Sequence, residues 1–145
     1  MIVIAHRANL QGPSPLTENS IESIQECFSY GFHVEIDVWF ENGNFWLGHD
    51  EPTYKVENLD ILRDEKSWCH AKNLEAALEL HNIDAHYFWH QTDDFTLTSR
   101  GYFWTYPGKK LCEKSIAVLP EWGLHEESYS LSLGVCTDFP LKYIA

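Results

Sequence analysis

The stretch Phe32-His33-Val34-Glu35-Ile36-Asp37-Val38-Trp39 decides how this chain is read. Its length and its β-branched and aromatic content are those of a buried strand. Residues i and i+2 of a strand share one face. Glu35 and Asp37 therefore project side by side out of an otherwise apolar segment. Two like charges held away from water are costly unless something offsets them. A hard divalent cation does so most simply, because Mg²⁺ and Ca²⁺ take carboxylate oxygens as ligands. The alternative is an edge strand whose acidic face is wet.

Working outward, Met1-Ile2-Val3-Ile4-Ala5 is a short apolar run that ends at His6-Arg7. It reads as a buried strand with a titratable base and a phosphate-matching guanidinium at its tip. A third run, Asn44-Phe45-Trp46-Leu47-Gly48, ends at His49-Asp50. Strand tips are where α/β barrels and open α/β sheets build active sites. The strand candidates are 2–5, 33–38, 67–71, 85–89, 101–105, 115–119 and 134–138, with 45–47 as a further extended piece. Two helices are expected. Asn19 or Ser20 caps the first, with Glu22 placed for a capping box. Ile21, Ile24 and Phe28 make its apolar stripe, and Gly31 fits its stop. The second runs over 74–80 behind Asn73.

Residues 1–145 read as one domain, long enough to bury a real core. A cationic, apolar, small-residue leader is absent from the N-terminus, and no run of 18 apolar residues occurs. Cysteines 27, 69, 112 and 136 form no C-x-x-C pair and read as reduced thiols. These features suit a soluble cytoplasmic enzyme. The formal net charge is −12, which repels nucleic acid and anionic membrane. An anionic substrate then needs local help from Arg7, Lys72 or a metal. The acidic loop 50–66 reads as solvated surface.

Four motifs occur in order: His6-Arg7, Glu18-Asn19-Ser20, Glu35-x-Asp37-Val38 and Gly48-His49-Asp50. In that order and approximate spacing the chain resembles the glycerophosphodiester phosphodiesterases, whose pattern reads HRG, ENT or ENS, E-x-D-V and HD. Phe103-Trp104-Thr105 and Cys136-Thr137-Asp138-Phe139-Pro140 look like that family's two closing strands. The resemblance is specific over 1–55, faint over 56–100 and moderate over 101–145. It implies an α/β fold, a TIM-like barrel of the phospholipase-C-like phosphodiesterase kind. At 145 residues against about 250 for a full barrel, the expectation is a reduced barrel with shortened or missing crossover helices. An incomplete barrel closed by a second copy, a homo-oligomer, is the rival.

The resemblance also implies roles. His6 and His49 would be the acid–base pair, Arg7 and Lys72 would offset charge developing on phosphorus, and Glu35 and Asp37 would hold a divalent metal. Glu18 would lie near the substrate, although it could equally serve the helix dipole. The family's third carboxylate lies in an E-x-K motif. Here that piece is Trp68-Cys69-His70-Ala71-Lys72, with His70 in place of the glutamate. A histidine ligand favours Mn²⁺ or Zn²⁺ over Ca²⁺; Mg²⁺ is the family expectation. Glu121 is a second source for the missing oxygen or a substrate contact, and a weak or absent metal is the third alternative. Ala8 replaces the HRG glycine, which disfavours a left-handed backbone there. His86, Phe88 and His90 alternate on one strand face, and His90 could reach the site. Trp89, Tyr102, Trp104, Tyr106 and Trp122 either fill the barrel or wall a sugar or glycerol group.

The expected activity is metal-dependent hydrolysis of a small glycerophosphodiester-like phosphodiester. In the resembled family a substrate hydroxyl attacks first and water opens the cyclic phosphate. The alternatives are a degenerate barrel that binds a phosphorylated ligand without turnover, and carbonyl chemistry at Lys72.

Overall fold

Apolar runs become strands along the whole chain in the computed structural model, which describes residues 1–124 and 129–144. In order they are β1 (Ile2–His6), β2 (His33–Glu41), β3 (Asn44–Leu47), β4 (Tyr54–Lys55), β5 (Ser67–Ala71), β6 (Tyr87–Phe88), β7 (Phe95–Leu97), β8 (Phe103–Thr105), β9 (Ser115–Val118) and β10 (Gly134–Thr137). The α-helices among the described residues are α1 (Ile21–Ser29), α2 (Asp60–Arg63) and α3 (Leu74–Asn82). Ser20 caps α1 by accepting from the Ser23 N–H, and Asn73 caps α3 by accepting from the Ala76 N–H. Each satisfies an N–H that the helix itself leaves unpaired.

The strands form one sheet in the order β4-β3-β2-β1-β10-β9-β8-β7, with β5 on β2 and β6 on β5. β2 is the fork. Its first residues pair in parallel with β1, residues 34–38 pair in parallel with β5, and its last residues turn back antiparallel on β3. β7 is antiparallel to β8. The result is a mixed sheet curled into a half-barrel.

This overturns the expected α/β barrel. Parallel neighbours normally need a crossover of a dozen or more residues, usually a helix. Here α1 and α3 cover only one side. Ile24 and Cys27 of α1 and Ala76 and Leu80 of α3 pack with Val34, Ile36, Val38, Cys69 and Ala71. On the other side β8 passes to β9 through 106–114, and β9 to β10 through 119–133. In their described residues these connections hold turns and two 3₁₀ turns, Pro120–Trp122 and Tyr129–Leu131. On the outer face of β9 and β10, Ala117 and Val135 pack with Leu111, Val3 and Tyr143.

The concave face is filled by Ile4, Trp68, Phe88, Trp104, Ile116, Val118, Leu119 and Cys136. Trp104 stacks on Phe88 at 4.6 Å between ring centroids, and Trp68 lies 5.9 Å from Trp104. Aromatic volume thus closes a concavity that the backbone ladder leaves open. His86 belongs to this packing, bonding Thr98 Oγ1 at 2.8 Å, while Tyr87 faces outward to His81.

Candidate functional site

Strand register assembles the site. His6 is the cross-strand partner of Glu35, and Asp37 is the partner of His70. Because side chains alternate, Ile4 and His6, Glu35 and Asp37, and Trp68 and His70 all share the concave face. The apolar members fill its depth. The polar ones emerge at the C-terminal ends of the parallel strands.

Glu35, Asp37 and His70 each offer a ligand atom within 4.8 Å of the others, so this group could hold a metal ion. His70 Nδ1 lies 3.2 Å from Asp37 Oδ1 and 3.8 Å from Glu35 Oε2. His70 Nε2 donates to the His90 carbonyl at 2.8 Å. A carbonyl only accepts, so Nε2 carries a proton. Burial disfavours charge on His70, but the Asp37 bond and the Glu35 and Asp37 charges outweigh it and raise its pKa. In the metal-free protein Nδ1 therefore also carries a proton and donates to Asp37, and a bound cation would take that proton's place. Asn19 holds Asp37 from two directions: its Nδ2 donates to Oδ2 at 3.0 Å, and its Oδ1 accepts the Asp37 N–H at 2.9 Å.

The electrostatics separate the two acids. Burial and then the Asp37 charge push Glu35 up to about 7. Burial acts upward on Asp37 as well, but the His70 and Asn19 hydrogen bonds and the His70 and Lys72 charges hold it well below the ordinary carboxylate range. A carboxyl that resists ionising, beside one that is ionised, is a donor set short of positive charge. Two oxygens and one imidazole nitrogen suit a divalent ion with mixed-ligand tolerance.

His6 stands beside this cluster, with Nε2 3.9 Å from Glu35 Oε1. Its Nδ1 donates to Asp138 Oδ1 at 2.8 Å. Burial disfavours charge on His6, yet the Asp138 bond and the Glu35 and Asp138 charges outweigh it and raise its pKa. Asp138 is lowered in turn, burial being overcome by His6 and by Asn9 Nδ2, which donates to it at 3.1 Å. Asn9 Oδ1 is buried without a hydrogen-bond partner among the described residues, a cost of about 1–3 kcal/mol. Arg7 and Ala8 both adopt left-handed backbone, φ 53 and 59. The substitution at Ala8 therefore does not prevent that conformation. It turns the Arg7 N–H onto Glu35 Oε1 at 3.1 Å. The Arg7 guanidinium lies 3.6 Å from Glu18 Oε1 and 4.0 Å from Asp37 Oδ2.

One cavity of about 320 Å³ is lined by His6, Arg7, Glu18, Glu35, Asp37, His49, His70 and Trp104, all singled out from the sequence. His49 stands at its edge with Nδ1 on Asp50 Oδ1 at 2.7 Å; Asp50 itself is in water. Two expected residues lie elsewhere. Lys72 is not on the wall; its backbone N–H is bonded to Val38 and its charge acts on Asp37. Glu121 is not on the wall either. Its oxygens accept from Thr137 Oγ1 at 2.8 Å and the Asp138 N–H at 2.9 Å. That excludes it as the missing ligand in this arrangement and makes it the brace of the His6–Asp138 pair.

Sequence reasoning left Asp138, Asn9 and Asn19 without site roles. Asn19 lies in Glu18-Asn19-Ser20 and Asp138 in Cys136-Thr137-Asp138-Phe139-Pro140, but local spacing offers Asn19 only a helix-cap role. Asn9 carries no sequence signal.

The chain matches no protein-family model, no curated protein and no solved structure. Fold and site together define a protein with an acidic, histidine-bearing ligand cluster on the concave face of a curled mixed sheet.

Proposed function

We propose that the protein is a metal-dependent phosphodiester hydrolase acting on a small glycerophosphodiester-like molecule. One observation carries this reading: a Glu35/Asp37/His70 donor set, a carboxylate-backed His6 and the Arg7 guanidinium share a single cavity. The motif resemblance of residues 6–50 supports the same chemistry. When bound, a divalent cation supplies Lewis-acid polarisation of a phosphoryl oxygen.

The chain's own groups do the rest. Arg7 binds the phosphoryl oxygens and offsets charge there. Glu18 and Asp37 flank its guanidinium and hold it in place. A hydroxyl, of water or of the substrate, forms the new P–O bond and loses its proton to one imidazole. The P–O bond to the departing alcohol breaks, and the second imidazole protonates that oxygen. Among the described residues of the cavity, His6 and His49 are the imidazoles with Nδ1 held by a carboxylate and Nε2 off any backbone carbonyl. Asp138 fixes the His6 tautomer, as Glu121 fixes Asp138.

Mg²⁺ is the ion the resemblance favours, and the His70 nitrogen favours Mn²⁺ or Zn²⁺. The test is release of p-nitrophenol from bis(p-nitrophenyl) phosphate by purified protein, with each ion added after chelation. Metal-dependent release lost in Asp37→Asn supports the reading. The second reading, binding of a phosphorylated ligand without turnover, is favoured by His70 standing where the resemblance expects a glutamate. It predicts metal-dependent ligand binding with no p-nitrophenol from any ion.

A further inference from the structure

The cavity has two chemically different ends. Its polar end is carried by β1, β2 and β5. Its other end is built from β8, β9 and the loops that follow them, on the far side of β10 in the sheet order. There the wall is Trp104, Tyr106, Pro107, Val118, Leu119 and Trp122, with His90 at its edge, its ring 6.0 Å from Tyr106 and its Nε2 on the Asp93 carbonyl. His90 aside, none of these side chains is charged. The nearby Lys109 is turned to Asp94 at 3.5 Å and does not line the cavity. Trp122 is 54% exposed and Tyr106 40% exposed, so two large rings stand at the mouth while Trp104 forms the floor. A cluster of exposed aromatics beside polar chemistry marks a surface that a ligand covers.

The wall is held relative to the reacting groups. Leu119 takes a left-handed backbone, φ 51, and starts the 3₁₀ turn 120–122. Its N–H donates to the Cys136 carbonyl at 2.7 Å. The same turn sends Glu121 back to Thr137 and Asp138 and sends Trp122 over the cavity. One strained turn thus ties the aromatic wall to the residue that holds His6.

Resting on the phosphodiesterase reading, we infer that the alcohol released is an uncharged apolar group, one ring or a short chain, seated between Trp122, Tyr106 and Trp104. A polyol there gives up its hydration to a wall whose described side chains are mostly carbon. A ring stacks and sheds apolar surface. A cavity of about 320 Å³ is at the low end of ligand pockets, about 300–1,000 Å³, which leaves room for one such group beside a phosphoryl. In the step, the attacking oxygen bonds to phosphorus and gives up its proton. The bond from phosphorus to the apolar alcohol's oxygen breaks with its electron pair, and that oxygen takes a proton. No redox partner enters.

The experiment compares methyl 2-phenylethyl phosphate with methyl 2-(2-hydroxyethoxy)ethyl phosphate. The two are similar in size and leaving-group basicity and differ in polarity. Turnover is followed with metal present, and Kd is measured by calorimetry. The expected result is a preference of roughly tenfold or more for the phenyl ester in kcat/KM and in Kd, falling towards unity in Trp122→Ala and kept in Trp122→Phe. Equal or better use of the polar ester, with a ratio that Trp122→Ala leaves unchanged, overturns the inference. If neither ester nor bis(p-nitrophenyl) phosphate turns over, the phosphodiesterase reading has failed and the released-alcohol assignment with it. The Kd ratio then reports the wall alone.

Discussion

Replacing Glu35 by Gln should stabilise the metal-free protein while abolishing its metal binding. In the folded chain Glu35 is raised from its ordinary 4.5 to about 7 by burial and by Asp37. The unfolded chain releases that proton near its ordinary value. Between about pH 4.5 and 7 the folded state therefore holds more protons than the unfolded state, and stability falls as pH rises. Above pH 7 the ionised carboxyl costs the fold about 3 kcal/mol, at about 1.4 kcal/mol for each tenfold change in acid constant. Gln keeps an oxygen for the Arg7 N–H, which donates at 3.1 Å, and never ionises. Urea unfolding in chelator should find Glu35→Gln about 3 kcal/mol more stable than the parent at pH 8, with the gap narrowing to about 1 kcal/mol at pH 5. Added Mn²⁺ should stabilise the parent, by about 2.7 kcal/mol at a hundred times Kd, and leave the variant unmoved. A parent as stable as the variant at pH 8 in chelator would refute the account of Glu35 as a strained, cation-seeking carboxyl.

Further outcomes follow from other contacts. Asn19→Ala removes both bonds to Asp37 and places Ala at φ 63; chemical denaturation should show a loss of about 2–4 kcal/mol. Asp138→Asn should lower kcat by about 10²–10⁴ with little change in Kd for metal, because Asp138 bonds His6 and none of the ligand atoms; steady-state kinetics beside calorimetry checks this. His86 is lowered to about 4, first by burial. The unfolded chain therefore binds an extra proton between about pH 6.5 and 4, and its share of stability, about 3 kcal/mol at most, is fully present above 6.5 and drains as pH falls. Unfolding midpoints of the parent should drop over that window more steeply than those of His86→Phe. His49→Ala should cost about 10²–10⁴ in rate; full activity would remove it from the acid–base pair.

Local chemistry was legible where one segment decides the outcome. Ser20 and Asn73 cap because each places a side-chain oxygen within reach of an N–H that the first helical turn leaves unpaired. Apolar runs marked β1, β2, β5, β9 and β10. β6 shrank to Tyr87–Phe88 because 89–94 turns away. β7 escaped notice because Phe95 and Leu97 are both exposed, so its alternation points to no core. The barrel expectation failed on strand direction and closure. A reduced barrel already allows for shortened or missing helices, but strand spacing does not reveal direction: β3, β4 and β7 pair antiparallel, and the sheet stays an open, mixed half-barrel. At the site, same-face spacing revealed the Glu35–Asp37 pair within one strand. His6 and Asp138 are 132 residues apart, and only the register of β1 on β10 joins them. The same limit hid the use of Glu121, whose carboxylate faces β10 and not the cavity.

A crystal of the protein soaked in Mn²⁺ tests the centre of this account most directly. An anomalous peak is expected about 2.0–2.6 Å from carboxylate oxygens of Glu35 and Asp37 and from His70 Nδ1, with His70 Nε2 still on the His90 carbonyl. No peak at those atoms at saturating Mn²⁺, with Glu35 and Asp37 bound only by Arg7, Asn19 and His70, would contradict it.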